Sequence, residues 1–333
     1  MSKVVLHIGT HKTATTTIQD MFHKNAPLLE KHGLIYPRIG RVTGHHGLAY
    51  DWSALPPVYK LDSSSLDAFG WIAREYADRD ATVFLSSEEF SRDNPKASVD
   101  FAAVRERLAP FDEIEVICVL RTQWQFIQSI YLELSRRNNP PRPSTIAKPA
   151  IEKGTSMGLA VDYNLILDRL EKVFAPEEIT LLDFKTCSQA EGRIIGTLLR
   201  HLDIDLKAEA LELVNDGVSN KSPHPLATWI SNVAVEPASA PDWLLAHATA
   251  VFKEEAKEND VPCLFTQNEF KTMAEHFGPL NARLEERRRA VQPDFRISEP
   301  DGDAITLYRN QTKQSVWNKL ARRLALERMK TEK

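Results

Sequence analysis

A positively charged side chain and several hydroxyls follow the first apolar run of the chain, K-V-V-L-H-I at residues 3–8. A tight turn comes next, and an amphipathic stretch begins at Ile18. The residues of this turn are Gly9, Thr10, His11, Lys12, Thr13, Ala14, Thr15, Thr16 and Thr17. A buried strand, a tight loop and a helix N-terminus together direct free backbone N–H groups and the positive end of the helix dipole at one point. Lys12 adds a mobile charge, so the stretch predicts a phosphate or sulfate site rather than an ordinary threonine-capped turn.

The position of Lys12 distinguishes this turn from the P-loop of nucleotide kinases. The kinase motif G-x-x-x-x-G-K-[ST] has its lysine at the end of the loop. Counted from Gly9, the last three positions of that motif hold Ala14, Thr15 and Thr16, so Lys12 comes three residues early. A kinase of standard design is therefore disfavoured. A nucleotide-dependent phosphotransferase with an atypical P-loop stays open as an alternative.

A second candidate anion ligand, Arg121, closes another apolar strand. Residues 114–120 read I-E-V-I-C-V-L, a pattern typical of a parallel strand that is buried on both faces. Arg121 lies at its carboxyl end, where α/β sheets bind ligands, and its guanidinium can grip a phosphate with two hydrogen bonds. Ser129 follows eight residues later, two turns into the next helix. We expect Arg121 and Ser129 to lie close together if that helix packs back on the strand.

These residues need a sheet to hold them, and the chain alternates strand and helix patterns at a suitable spacing. We predict strands over 4–8, 34–36, 82–85, 114–120 and 179–183, and helices over 15–31, 65–77, 98–108, 123–137, 162–174 and 188–201. Such βαβ alternation predicts an α/β fold with a central parallel sheet flanked by helices. Beyond about residue 205 the pattern is mostly helical, with a helix over 267–289. We predict a single domain over 1–300 and a basic helical tail over 301–333.

The pattern from His7 to Gln19, H-I-G-x-x-K-T-x-T-T-x-[IL]-Q, resembles the 5′-phosphosulfate loop of the sulfotransferase family. Members of that family use 3′-phosphoadenosine 5′-phosphosulfate (PAPS) as donor. Their strand-end Arg and a Ser eight residues later hold the donor's 3′-phosphate, which Arg121 and Ser129 match. The late segment F-G-P-L-N-A-R-L at 277–284 is also similar to bacterial members. The resemblance implies a bacterial sulfotransferase with the P-loop NTPase-like architecture of that family.

Two positions of the turn depart from the family pattern, which usually has Pro before the Lys and Gly two residues after it. This chain has His11 and Ala14 at those positions. Alanine in place of glycine predicts that position 14 does not need a positive φ. His11 either rims the pocket or is exposed.

The resemblance implies an in-line transfer of a sulfuryl group to a hydroxyl of a carbohydrate, a glycolipid or a small metabolite, without a metal. Lys12 would stabilise the charge on the leaving bridging oxygen. The donor-binding residues would be His11, Lys12, Thr13, Ala14, Thr15, Thr16, Thr17, Arg121 and Ser129. The family's general base is a Glu or His after the second strand or at the end of the third, and these places hold His45, His46 and Glu88. Glu88 also fits a capping box, so the choice stays open.

Composition narrows the class of protein. The net charge of −4 argues against a general nucleic-acid binder. The three widely spaced cysteines predict neither a disulfide framework nor a zinc site. Because the first predicted strand begins at residue 3, we expect no signal peptide, and no apolar run approaches the roughly 20 residues that span a bilayer. We expect a cytoplasmic protein. A sulfotransferase-like module that binds nucleotide without catalysis is a further alternative.

Three further segments carry basic residues. Residues 138–158 are expected to form an irregular loop, either an anion-binding lid or a solvated basic segment; the charged residues in it and just before it are Arg136, Arg137, Arg142, Lys148, Glu152 and Lys153. Asn220-Lys221-Ser222 is a candidate for closing over the 3′-phosphate. The tail from Arg309 carries eight Lys or Arg and two Glu, and its helical face holds Trp317, Leu320, Ala321 and Leu324. That face lies either on an anionic membrane surface or on the protein's own apolar surface. The sequence does not indicate an oligomeric state.

Overall fold

A computed structural model describes residues 1–92, 98–214, 222–255 and 260–331. Contacts divide the chain into two compact units. The first comprises the described residues of Met1–Thr122, Gly158–Asn220 and Pro279–Ser298, and the second those of Gln123–Met157, Lys221–Gly278 and Glu299–Lys333. These units do not follow the division predicted at residue 300, which stays a prediction.

The central sheet of the first unit has five strands, all parallel, in the order β2-β3-β1-β4-β7. The strands are β1 Lys3–His7, β2 Leu34–Ile35, β3 Thr82–Ser86, β4 Glu113–Leu120, β5 Thr155–Ser156, β6 Leu159–Ala160, β7 Ile179–Asp183, β8 Pro262–Cys263 and β9 Leu307–Tyr308. The predicted fold class, an α/β fold with a central parallel sheet, is confirmed. The carboxyl ends of β1, β3 and β4 meet at one edge, where the turn after β1, the Ser87-Glu88 segment and Arg121 begin.

Helices account for most of the remaining regular structure. They are α1 Thr15–Lys24, α2 Ala26–Lys31, α3 Ser65–Tyr76, α4 Phe101–Leu108, α5 Gln123–Leu134, α6 Pro143–Lys153, α7 Asn164–Leu170, α8 Phe184–Gln189, α9 Arg193–His201, α10 Pro225–Val235, α11 Asp242–Glu255, α12 Gln267–Arg288 and α13 Gln314–Thr331. In the first unit, α1 and α9 contribute to one buried apolar cluster with the sheet. Its members include Ile18 and Phe22 of α1, Leu198 of α9, Phe84 of β3 and Ile117 of β4. This packing fixes α1 against the sheet and so fixes the turn that precedes it.

The first helix ends earlier than its periodicity predicts. The predicted helix over 15–31 is two helices, separated at Asn25. The Asn25 side chain donates to the carbonyls of Met21 and Glu212 and accepts from the Glu212 backbone N–H. The break therefore lies at a side chain that competes for backbone partners.

Residues 138–158 are not an irregular loop, so that prediction is wrong. Helix α6 occupies most of the segment, with Pro143 at its first position and Pro149 inside it. Three of the basic side chains are paired within the second unit: Arg136 with Glu133 at 3.5 Å, Arg142 with Glu236, and Lys148 with Glu152 at 3.7 Å. The proline-rich start concealed the helix because proline is read as a breaker, although it fits the first helical turn.

The C-terminal helix packs on apolar residues of its own unit. Val316 and Leu320 of α13 are buried in a cluster with residues of α10 and α11, and the Trp317 ring packs edge-on against that of Trp229 at 5.9 Å. Ala321, predicted on the same face, is exposed. The helix is expected from the sequence to lie either on the protein's own apolar surface or on a membrane. The structure shows the first contact, and contact with a membrane stays a prediction. Among the described residues, no helix is both long and apolar enough to cross a bilayer.

A buried carboxylate joins three strands of the sheet. Glu115 of β4 accepts from His201 at 2.6 Å and from Thr180 of β7 at 2.6 Å, and it pairs with Lys3 of β1 at 2.7 Å. Burial alone would raise the pKa of Glu115, but its hydrogen bonds with His201, Lys3 and Thr180 outweigh this effect and lower the pKa to about 2. The ionised form is therefore the one that the folded protein favours.

This depressed pKa predicts a pH-dependent stability. The contribution of Glu115 should be complete above its unfolded pKa of 4.5 and should disappear as the pH falls towards 2, a change of up to about 3 kcal/mol. Urea unfolding of the wild type and of Glu115→Gln, from about pH 6 to about pH 3, measures this contribution to the unfolding free energy. The difference in unfolding free energy between the two proteins should shrink as the solution is acidified. A constant difference would contradict the prediction.

Candidate functional site

The turn between β1 and α1 is tied to the neighbouring strand β4. The backbone N–H of Ile8 donates to Ile117 at 2.9 Å, and both the N–H and the hydroxyl of Thr10 donate to the Val119 carbonyl at 3.1 and 3.0 Å. The Thr13 hydroxyl donates to the Thr10 carbonyl at 2.5 Å. These bonds hold the turn in a defined shape against β4.

Two residues of the turn have left-handed backbone conformations, Lys12 with φ 67° and Ala14 with φ 61°. The prediction that position 14 does not need a positive φ is therefore wrong. Ala14 immediately precedes α1, and its left-handed conformation turns the chain from the loop into the helix. A residue with a Cβ adopts this conformation at a cost of about 1 kcal/mol or more.

We expect Ala14→Gly to raise the unfolding free energy by up to about 1 kcal/mol, because glycine adopts a positive φ without the steric cost. Ala14→Val should lower it, since a branched side chain is the least tolerant of this conformation. Urea unfolding measures both. Ala321→Gly, at an exposed position inside α13, is the matched control and should lose about 1 kcal/mol. An equal loss for Ala14→Gly would contradict the prediction.

The N-terminus of α1 offers uncompensated donors to an anion. No acidic residue lies in its first turn, no side chain caps it, and its first intrahelical bond runs from the Ile18 N–H to Ala14. The N–H groups of Thr15, Thr16 and Thr17 therefore have no intrahelical acceptor. The Thr15 hydroxyl is buried and has no hydrogen-bond partner among the described residues. Buried polar atoms are normally paired, so this orphaned group fits a site that receives an anionic ligand.

Arg121 lies beside this turn. Its Nη1 donates to the Lys12 carbonyl at 3.1 Å, and its guanidinium lies over the Phe184 ring at 5.5 Å. The Tyr163 hydroxyl donates to the Arg121 carbonyl and fixes the end of β4. Burial lowers the pKa of the Arg121 guanidinium, but arginine remains charged at neutral pH. A permanent positive charge thus adjoins the predicted anion site.

Ser129 lies on α5, in the second unit, where its buried hydroxyl donates to the Phe126 carbonyl at 2.6 Å. Its joint role with Arg121 stays a prediction. Of the segment predicted to close over a phosphate, Asn220 and Lys221 lie outside the described residues, and Ser222 is exposed.

A chain of polar contacts runs from β1 to Glu88. His7 Nδ1 lies 2.8 Å from the Ser86 hydroxyl, which accepts from Gln19 Nε2 at 3.3 Å. Gln19 Nε2 also donates to Glu88 Oε2 at 3.2 Å. Burial lowers the pKa of His7 to about 4, so its ring is neutral at pH 7. His7 Nε2 has no partner in the described part of the chain.

The two adjacent candidate histidines have different surroundings. The Ser86 N–H donates to His45 Nδ1 at 2.9 Å, so Nε2 carries the hydrogen and donates to the Pro37 carbonyl at 2.7 Å. Burial lowers the pKa of His45 to about 4. Both nitrogens of His45 are therefore occupied by backbone groups. His46 Nδ1 instead lies 3.0 Å from the Ser87 hydroxyl and 3.7 Å from Glu88 Oε2. The structure thus brings His46 and Glu88 together.

His11 contacts a carboxylate that the sequence did not single out. Its Nε2 lies 3.5 Å from Glu89 Oε1 and 3.3 Å from Arg92 Nη2, and only 19% of its side chain is exposed. Burial alone would raise the pKa of Glu89, but hydrogen bonds with His11 and Arg92 lower it to about 2. The His11 side chain is therefore not fully exposed, and its place at the rim of a pocket stays a prediction.

Sequence reasoning also missed the structural use of Gln19 and Gly44. A Cβ on Gly44 would lie 2.5 Å from Gln19 Oε1 and 2.7 Å from His46 Nε2. Only glycine therefore lets this segment pass so close to both side chains. Gln19 closes the motif that carries the resemblance, so its position was the available signal. Within the described ranges, no group of three or more His, Cys, Asp or Glu could hold a metal ion.

No protein-family model and no curated protein matches this chain. Solved structures similar to it include a sulfotransferase from Alicyclobacillus acidocaldarius, at 14% identity and a TM-score of 0.48, with 86% of this chain and 95% of that chain covered. Mouse sulfotransferase SULT7A1 complexed with PAP matches at 11% identity and a TM-score of 0.43, with 88% of this chain and 87% of that chain covered. A sulfotransferase domain from the curacin biosynthetic pathway matches at 13% identity and a TM-score of 0.36, with 84% of this chain and 98% of that chain covered. These neighbours are sulfotransferases, the family that the turn sequence resembles.

Proposed function

We propose that this protein is a sulfotransferase that moves a sulfuryl group from PAPS to a hydroxyl of a carbohydrate, a glycolipid or a small metabolite. The observation that supports it most is the hydrogen bond from Arg121 to the Lys12 carbonyl, between residues 109 positions apart. It joins the two halves of the motif that resembles the family's donor site. The proposal therefore rests on one place in the fold rather than on two separate sequence patterns.

The turn suits the 5′ end of such a donor. The orphaned Thr15 hydroxyl, the uncapped N-terminus of α1 and the Lys12 side chain offer donors and charge to phosphate and sulfuryl oxygens. Arg121 is charged and lies against the same turn. The resemblance implies that Arg121 binds the 3′-phosphate of the donor.

In the proposed reaction, Glu88 accepts the proton of the acceptor hydroxyl. The acceptor oxygen forms a bond to sulfur while the bond from sulfur to the bridging phosphate oxygen breaks, and the electron pair of that bond stays on the phosphate. Lys12 and the α1 N-terminus stabilise this charge, which is larger in the transition state than in the bound donor. The product is adenosine 3′,5′-bisphosphate. Glu88 is favoured over His45 because both nitrogens of His45 are bonded to backbone groups.

Ligand-induced stabilisation tests the proposal. Adenosine 3′,5′-bisphosphate should raise the melting temperature, since a ligand at 100 times its dissociation constant stabilises by about 2.7 kcal/mol. Arg121→Gln should abolish this rise. Arg105→Gln is the matched control and should retain the rise in melting temperature. Arg105 is not part of the turn, and its guanidinium pairs with the Glu178 carboxylate at 2.8 Å. Stabilisation by ATP with Mg²⁺ but not by the bisphosphate would instead support the phosphotransferase alternative.

Transfer itself is a separate measurement. Incubation with sulfur-labelled PAPS and a panel of sugars, glycolipids and small hydroxylated metabolites should label at least one acceptor. Binding of the bisphosphate without label transfer to any class of acceptor would support the non-catalytic alternative. The acceptor that is labelled would define the substrate class.

A further inference from the structure

Gln19 lies at the centre of the polar contacts beneath the site. Its side chain belongs to α1, and the residue is only 2% exposed. Its amide nitrogen donates towards the carbonyl and the hydroxyl of Ser86, both at 3.3 Å, and to Glu88 Oε2 at 3.2 Å. A buried amide with these partners fixes the end of β3 and the carboxylate that follows it.

The orientation of this amide is determined by its surroundings. The nitrogen faces three oxygen atoms, while Oε1 lies next to Gly44, where a Cβ would approach it to 2.5 Å. The reverse orientation would place the amide oxygen against the Glu88 carboxylate. An ionised carboxylate only accepts hydrogen bonds, as the amide oxygen does, so the two groups could not bond. The donor therefore points at Glu88.

Gln19 also shares a helix face with the predicted donor site. Thr15 and Gln19 are four residues apart on α1, so their side chains lie one above the other. The orphaned Thr15 hydroxyl belongs to the first turn of α1, where the anion site is predicted, and Gln19 donates to Glu88 one turn later. One rigid turn of helix thus connects the group that would bind the donor with the group that would take the acceptor's proton.

We propose that Gln19 is a positioning residue, which holds the Glu88 carboxylate where it can take the proton of the acceptor hydroxyl. This inference rests on the proposed function, because it assigns Gln19 a role through the proposed base. His46 Nδ1 lies 3.7 Å from Glu88 Oε2, beyond hydrogen-bond distance. Without the Gln19 amide, the carboxylate loses its direct hydrogen bond from α1.

Gln19→Met tests this role, because methionine has a similar length and no N–H donor. We expect kcat to fall about tenfold, the order expected for one hydrogen bond to a charged group. The dissociation constant of adenosine 3′,5′-bisphosphate should stay within about twofold, since the residue does not contact the donor in this role. Met21→Leu, a volume-conserving change at a buried position of the same helix, is the matched control and should leave both quantities unchanged.

A double-mutant cycle separates positioning from a structural role. If Gln19 acts through Glu88, adding Gln19→Met to Glu88→Gln should cost less than about twofold more, because the group that it positions is already gone. A further tenfold loss would overturn the inference.

A measurement without turnover distinguishes failure of this inference from failure of the proposed function. The side-chain carboxyl ¹³C resonance of Glu88, assigned by its loss in Glu88→Gln, should move in Gln19→Met and stay in place in Met21→Leu. An unmoved resonance would overturn the positioning role even if sulfuryl transfer is observed. A wild-type protein that neither binds the bisphosphate nor transfers sulfate would overturn the proposed function, and with it the assigned role of Gln19.

Discussion

Replacing Lys12 by methionine should lower kcat by about 10²–10³, the loss seen when one preorganised donor to a developing charge is removed. Lys12 is the one flexible cation of the turn, which also contains the orphaned Thr15 hydroxyl and the uncapped helix start. Charge develops on the bridging oxygen only as the bond to sulfur breaks. A side chain that neutralises this charge therefore affects kcat more than donor affinity.

Methionine fits the backbone conformation of residue 12 as well as lysine does. Lys12 already adopts φ 67° with an unbranched side chain, and methionine meets the same steric cost there. The folded structure should therefore tolerate the change. Lys24→Met is the matched control, because Lys24 lies near the end of α1 and pairs with Glu212 at 3.0 Å. Steady-state kinetics with labelled PAPS measure both variants. A Lys12→Met enzyme with wild-type kcat would contradict a role of Lys12 at the bond that breaks.

The sheet could be predicted from the sequence because each of its strands is a short, nearly continuous apolar run. The run before Arg121 is buried from Val116 to Leu120, as a strand covered on both faces requires. Once these strands are parallel, their carboxyl ends meet at one edge. The meeting of Arg121 with the Lys12 turn follows from that topology, and the sequence motif supplies the residue types.

Features that depend on side-chain partners distant in sequence could not be predicted in the same way. Glu212, 187 residues away, supplies partners to Asn25 at the break between the first two helices. The positive φ of Ala14 arises from the turn's ties to β4, whereas its residue type indicates the opposite. Local propensity is overruled in both cases by contacts that the sequence pattern does not encode.

The distinction between His45 and His46 is of the same kind. The two residues are neighbours with identical chemistry, so residue type cannot separate them. The backbone carbonyl of Pro37 and the N–H of Ser86 occupy both nitrogens of His45, and only the three-dimensional path of the loop determines this. His46, one residue further on, lies next to Glu88 instead.

Glu88→Gln should lower kcat by about 10²–10⁴, the usual contribution of a general base, while adenosine 3′,5′-bisphosphate binds as in the wild type. Glutamine keeps the shape and can still contact Gln19 through its amide oxygen, but it cannot accept a proton. The Glu88 side chain is 18% exposed, so an acceptor can approach it, while Gln19 donates to its carboxylate and His46 lies 3.7 Å away. The change therefore removes the proton acceptor without removing the fold.

Comparison of Glu88→Gln with His46→Gln determines which of the two residues accepts the proton of the acceptor hydroxyl. If Glu88 is the base, His46 acts only on its surroundings, and His46→Gln should cost about tenfold, less than Glu88→Gln. Glu106→Gln, at an exposed position of α4, is the matched carboxylate control and should have wild-type kinetics. A larger loss for His46→Gln than for Glu88→Gln would make His46 the proton acceptor, with Glu88 orienting its ring across the 3.7 Å that separates them.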